Sequence, residues 1–166
     1  ALLSGTPKRV DVIPSGSSRD LHSIAMRDSS HGVAVGDDGR AVSVSPSGGA
    51  RIRTGTKADL LDVWVDVKRG LYWAVGAQGV ILRGDGLTWK PEQSPVSVVL
   101  RALDGRGPQE LWAVGDGGTI LKRGPKGVWL PERIQGRPDL VAVTVTPRGE
   151  VLAADRAGGL WRRAAG

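Results

Sequence analysis

The feature that most limits what this chain can fold into is an internal repeat of about 40 residues. Gly-Val-Ala-Val-Gly-Asp-Asp-Gly at 32–39, Tyr-Trp-Ala-Val-Gly-Ala-Gln-Gly at 72–79 and Leu-Trp-Ala-Val-Gly-Asp-Gly-Gly at 111–118 superpose Gly36 on Gly76 and Gly115, then Gly39 on Gly79 and Gly118. A degraded fourth copy at 151–158 puts Asp155 and Gly158 in the two glycine positions, so the spacings are 40, 39 and 40. About fifteen residues before each of these comes an apolar stretch led by Leu: Leu21 to Met26, Leu61 to Asp66, Leu100 to Asp104 and Leu140 to Val145. A Gly- and Asp-rich turn between two β-rich runs reads as a hairpin. The last piece of each copy, around Ile52, Trp89 or Trp129, is closed by Pro91 and Pro131 in two copies, which suits an outer edge strand.

Four short strands in about 40 residues is the period of a β-propeller blade. The second and third strands of each copy are continuous apolar runs. They predict sheets buried on both faces, as blades are between neighbours, where a two-sheet sandwich alternates polar and apolar residues. The 25 glycines in 166 residues and the lack of an i, i+3, i+4 apolar stripe exclude a helical solenoid. Apolar runs of five residues or fewer exclude a membrane-spanning helix.

The expected fold is therefore all-β: one β-propeller domain over 1–166, with four blades of four antiparallel strands at about 21–59, 60–98, 99–138 and 139–163. The fourth copy stops after its third strand, and Lys8 to Pro14 has the outer-strand pattern with its closing Pro. Residues 7–14 are thus expected to complete the last blade and latch the ring without a free edge. The competing expectation is that the four copies are a fragment or half of a larger ring of seven or eight blades, so the chain is a monomer or a homodimer.

The run from Trp112 to Leu121, with Trp73 to Leu82 as a looser copy, resembles the repeats of bacterial propellers related to the photosystem II assembly and stability factors and to sialidase-like Asp-box (BNR) repeats. Asp85-Gly86-Leu87-Thr88-Trp89 carries the Asp-box pattern in part, with the Asp one residue too close to the Thr-Trp end. Leu140 to Arg163 also looks somewhat like a tectonin-type lectin repeat. The resemblance implies a blade and no particular activity. It implies a binding or assembly platform, often secreted or periplasmic, and an extracytoplasmic site is expected on that ground.

Few residues suggest chemistry. No Cys is present, and His22 and His31 lie in different parts of the repeat, so neither a metal site nor a cofactor is expected. No Gly-x-Ser-x-Gly elbow occurs. Gly115-Asp116-Gly117-Gly118 lies between two strands and lacks the Lys-Ser/Thr of a phosphate loop. Sialidase chemistry needs a tyrosine nucleophile, and the single Tyr, Tyr72, sits beside Trp73 in a core-like strand. The expectation is a non-enzyme. Trp73 and Trp112 read as blade packing. Trp89 and Trp129 on outer strands could stack on sugars, which makes a lectin-like propeller the alternative function.

The net charge of +6 is one-sided once placed on blades. The first-to-second and third-to-fourth strand connections share one face. That face collects Lys68, Arg69, Arg83, Arg106, Lys122, Arg123, Lys126, Arg148, Arg162 and Arg163 against few acids. The expected function is a protein-interaction or assembly module docking a partner, acidic by charge complementarity, through this face. Nucleic acid is not the preferred partner, because no aromatic residues interleave the arginines.

Overall fold

The computed structural model describes residues 11–164, which form four antiparallel sheets joined in chain order. The first holds β1 (Leu21–Met26), β2 (Gly32–Gly36), β3 (Arg40–Ser45) and β4 (Gly48–Ile52). The second holds β5 (Leu60–Asp66), β6 (Leu71–Gly76), β7 (Ile81–Gly84) and β8 (Trp89–Pro91). The third holds β9 (Leu100–Gly105), β10 (Leu111–Gly115), β11 (Thr119–Arg123) and β12 (Trp129–Arg133). The last holds β13 (Leu140–Val145), β14 (Val151–Asp155) and β15 (Leu160–Arg163). Each sheet is a meander whose first strand packs beside the first strand of the next, so β1, β5, β9 and β13 form the inner row of a propeller-like array.

Strand pairing refines the repeat by one residue. Leu21, Leu60, Leu100 and Leu140 all stand opposite the residue that ends the second strand: Gly36, Gly76, Gly115 and Asp155. The leader of the second copy is thus Leu60, fully buried, and not Leu61. All four inner strands slip register just after this leucine, a bulge that raises local twist.

The glycine that recurs at the end of the second strand has a steric cause. A Cβ on Gly36, Gly76 or Gly115 would overlap the carbonyl oxygen of Asp20, Asp59 or Val99. That close approach lets the next N–H, of Asp37, Ala77 or Asp116, donate to the same carbonyl at 2.8–3.0 Å. The following turns carry left-handed residues, with φ of 53° at Asp38 and 58° at Gln78 and a glycine after each.

Three core clusters hold the array. Val33, Val35, Ala41 and Ile52 of the first sheet meet Leu60, Val63, Tyr72, Leu82 and Trp89 of the second. Trp73, Val75 and Ile81 meet Leu100, Leu103, Leu111, Leu121 and Trp129 of the third. Trp112, Val114 and Ile120 meet Leu140, Val151 and Ala153 of the last. Each sheet therefore has a forward face, turned to the next sheet, and a backward face. Inner strands are also tied by carboxylates: Asp62 accepts from the Ser23 hydroxyl (2.7 Å) and the Leu103 N–H (2.8 Å), and Asp104 accepts from the Val145 N–H (2.8 Å).

No core cluster joins the last sheet to the first among the described residues, and there the last sheet has three strands. Residues 7–10 of the expected latch lie outside the described residues. Of its described part, 11–14 forms no strand, and the Pro14 carbonyl accepts from the Gly49 N–H at 2.7 Å, which places that stretch on the first sheet. Pro14 has no N–H to offer an edge, but its carbonyl is free to cap one.

Gly76→Ala should cost about 3 kcal/mol in urea unfolding, because backbone must move to admit the Cβ. Gly107, with open space around it and no positive φ, should accept Ala within about 0.5 kcal/mol.

Candidate functional site

The second and third interfaces each contain the same polar clamp. Arg123 ends β11 and is only 7% exposed. Its guanidinium forms paired hydrogen bonds to both carboxylate oxygens of Glu92 (2.8 and 2.6 Å), a third to the Pro108 carbonyl (2.6 Å), and lies 5.2 Å from the centre of the Trp73 ring. Trp129 donates its indole N–H to the same carboxylate at 2.8 Å. One sheet later, Arg163 pairs with Glu132 (2.8 Å) and lies 4.9 Å from the centre of Trp112. A forked guanidinium on a carboxylate keeps its charge while its flat face covers an indole. Each Trp buries about 150–250 Å², worth roughly 4–6 kcal/mol at 25 cal/mol per Å² as an upper estimate.

These clamps redistribute the expected basic face. Arg123 and Arg163 hold sheets together. Arg106 is bound to the Pro147 carbonyl and Glu110, both at 2.6 Å, and links two neighbouring loops. Arg69 pairs with buried Asp66 at 2.9 Å. Arg83 and Lys122 lie on the strands β7 and β11, 5.7 Å from Trp73 and 5.2 Å from Trp112. The side chains of Lys68, Lys126, Arg148 and Arg162 are exposed and have no ion-pair or hydrogen-bond partner among the described residues. Lys68, Lys126 and Arg148 sit in loops of the second, third and last sheets on that face.

Loops of that face also carry what charge counting missed. Val67, Leu87 (76% exposed) and Val128 project from them as exposed large apolar residues. Loops on the opposite face, at 36–40, 53–59, 92–99 and 134–139, expose no large apolar side chain among the described residues. An open groove of about 330 Å³ runs between the first two sheets beside Leu87, lined by His31, Ser43, Tyr72 and Asp85.

Asp residues shape these turns. Asp85 accepts from the Leu87 and Thr88 N–H groups (2.9 and 2.8 Å) and from the Thr88 hydroxyl, so the partial Asp-box is a capped turn that presents Leu87. Asp28 accepts from the Ser30 and His31 N–H groups, both at 2.8 Å, and these hydrogen bonds hold its carboxyl down at about 2. Asp85, through the N–H groups of Thr88 and Leu87, and Asp155, through the Trp161 indole N–H and the Gly159 N–H, are lowered too. Asp62 goes the other way, raised chiefly by burial.

Other expected features resolve differently. Trp89 and Trp129 are buried in sheet interfaces, Trp89 with its ring centre 6.4 Å from that of Tyr72, so neither offers a stacking face for sugar. His22 rests on Asp37 (2.6 Å) and His31 on Asp28 (3.0 Å), two separate pairs. Asp116 of the Gly-rich turn is occupied by the Arg101 guanidinium.

The array of antiparallel meanders stacked face to face, with their first strands in one inner row, defines a β-propeller-type fold. No family model and no curated protein matches the chain. Solved structures do. YCF48 from Cyanidioschyzon merolae is 18% identical, with TM-score 0.69 over 93% of this chain and 56% of its own. A structure described as YCF48 bound to D1 peptide is 15% identical, with TM-score 0.53 over 92% of this chain and 65% of its own. The WD40 repeats of RRP9 are 11% identical, with TM-score 0.77 over 90% of this chain and 49% of their own. Streptogramin B lyase is 13% identical, with TM-score 0.68 over 94% of this chain and 57% of its own. The chain thus spans roughly half to two thirds of the length of these four structures, whereas the computationally designed Ika4 protein, 14% identical with TM-score 0.72 over 92% of this chain, is covered over 96% of its length. At these identities the likeness establishes the fold.

Two outcomes follow from the geometry. Glu92→Gln leaves Arg123 buried without its counter-charge and should cost about 3–5 kcal/mol in urea unfolding, while Lys68→Ala stays within about 0.5 kcal/mol. Carboxyls held low stabilise the fold above their ordinary value of 3.8 and lose that contribution as pH falls through the folded value. Melting temperature should therefore drop between pH 4 and pH 2, and Asp28→Asn should flatten that drop.

Proposed function

We propose that the chain is a non-enzymatic docking module that binds a protein segment across the loop face bearing Val67, Leu87 and Val128. The observation that carries this is the asymmetry of the exposed apolar tips: they sit on one loop face, beside unpaired cations, whereas the loops of the other face expose no large apolar side chain among the described residues. Apolar anchors supply binding energy when a partner excludes water from them. Flanking Lys68, Lys126 and Arg148 select acidic partners and speed encounter. A fold neighbour solved with a peptide bound supports this use of the scaffold.

The test is selection from a displayed peptide library against the 166-residue chain. Selected peptides should be rich in acidic and apolar residues. Leu87→Asp with Val128→Asp should weaken them roughly 100-fold, and Lys126→Glu with Arg148→Glu about 10-fold, with steep salt dependence. Opposite-face changes such as Lys57→Glu and Arg137→Glu should leave binding unchanged. Peptides that lose affinity only through the opposite-face changes would refute the assignment.

A further inference from the structure

The first and last sheets end the array with faces built like the buried ones. On the forward face of the last sheet, Leu152, Ala154 and Leu160 hold the repeat positions of Trp73, Val75 and Ile81, and of Trp112, Val114 and Ile120. Those counterparts are all buried, whereas Leu160 is 87% exposed and Leu152 is exposed as well. On the backward face of the first sheet, Leu21 and Ile24 hold the positions of Leu60 and Val63, Leu100 and Leu103, and Leu140 and Val143. Ile24 is 57% exposed and Leu21 is exposed, although the three equivalent leucines are fully buried.

The two end faces also match in kind. Where a sheet presents Trp73 or Trp112, the next sheet answers with Arg123 or Arg163. Where the first sheet presents Val33, the second answers with Gly84. The last sheet presents Leu152, without an indole, and the first sheet has Val44 in the arginine position. The end faces thus pair apolar positions as the first interface does, with Arg162 beside Leu152 on the forward face in the place held by Arg83 and Lys122 in the buried interfaces. Ser15 lies over Gly49, which stands where the second and third sheets carry Trp89 and Trp129, and Ala34 and Val42 are already buried, so the exposed part of this face is its innermost strand, at Leu21 and Ile24.

We propose that two copies of this chain associate head to tail, the forward face of each last sheet seating on the backward face of the other copy's first sheet. The contact continues the interface already repeated three times within the chain. The array superposes on about half of the RRP9 repeats, so two copies, eight sheets in all, supply about the length of such a propeller. A heterologous contact that closes after two copies leaves neither apolar end exposed. This association does not depend on the loop face and can fail without affecting it.

Light scattering after gel filtration of the 166-residue chain should give about 35 kDa, twice 17.4 kDa. Leu160→Glu and Ile24→Lys, on side chains exposed in a single copy, should retain the wild-type circular dichroism and run as monomers, each weakening association roughly 100-fold. An equimolar mixture of the two should recover the 35 kDa species, because one interface then holds both charges and the other is wild type. Leu152→Glu serves in place of Leu160→Glu if that variant does not fold. A wild-type chain that remains monomeric, a dimer indifferent to these changes, or an open polymer would overturn the proposal.

Discussion

Burial of both faces of a sheet is the constraint on which the rest of this molecule depends: the second and third sheets meet it within the chain, and the first and last each leave one face partly exposed. A sheet with Val33 and Val35 on one side and Ala34 and Val42 on the other cannot stand with either side in water. The only relief is another sheet of the same kind, stacked at a small rotation, and the repeat supplies it. The interfaces are not copies of one another. Two use an indole covered by a guanidinium that is itself neutralised across the interface, and one uses Val33, Ile52 and Gly84 in the same three positions. All three positions change together, as they must: an arginine without its glutamate, or a glutamate facing valine, would be a buried charge without a partner.

Rigid stacking is what gives the loops a use. Hairpin connections of successive sheets are brought side by side, and links such as Arg106 to the Pro147 carbonyl fix one loop against the next. Turn-capping aspartates then set the shape of each tip. Leu87 is held out by a turn whose N–H groups are satisfied by Asp85, so its exposure is built into the local structure. A surface of this kind presents apolar anchors at little cost in conformational entropy.

Much of this architecture is legible in the residues alone, because the repeat reports local constraints. The recurring glycine marks a backbone approach, and the apolar runs mark two-sided burial. What the repeat hides is any contact between copies. Arg123 and Arg163 read as surface charge because their partners lie one blade away, yet Glu92 and Glu132 precede them by the same 31 residues, a spacing that could have been noticed. Trp89 and Trp129 were ambiguous for the same reason: whether an outer-strand indole is a platform or a filler depends on the next sheet. The one-residue shift from Leu61 to Leu60 comes from an extra residue in the second hairpin, where Asp62 and its partner Val75 are 13 residues apart against 12 for Ser23 and Val35, Ala102 and Val114, and Ala142 and Ala154, which a fixed offset from the glycine does not detect.

Glu92 and Arg123 act as one unit that lets the Trp73 interface stay buried. A double-mutant cycle measures this directly, with Glu92→Gln, Arg123→Met and the combination compared by urea unfolding. Coupling predicts that the double variant loses about 1–3 kcal/mol less than the sum of the single losses, because removing both leaves no orphaned charge. Strict additivity would contradict it and would mean that the sheets are held by apolar packing alone.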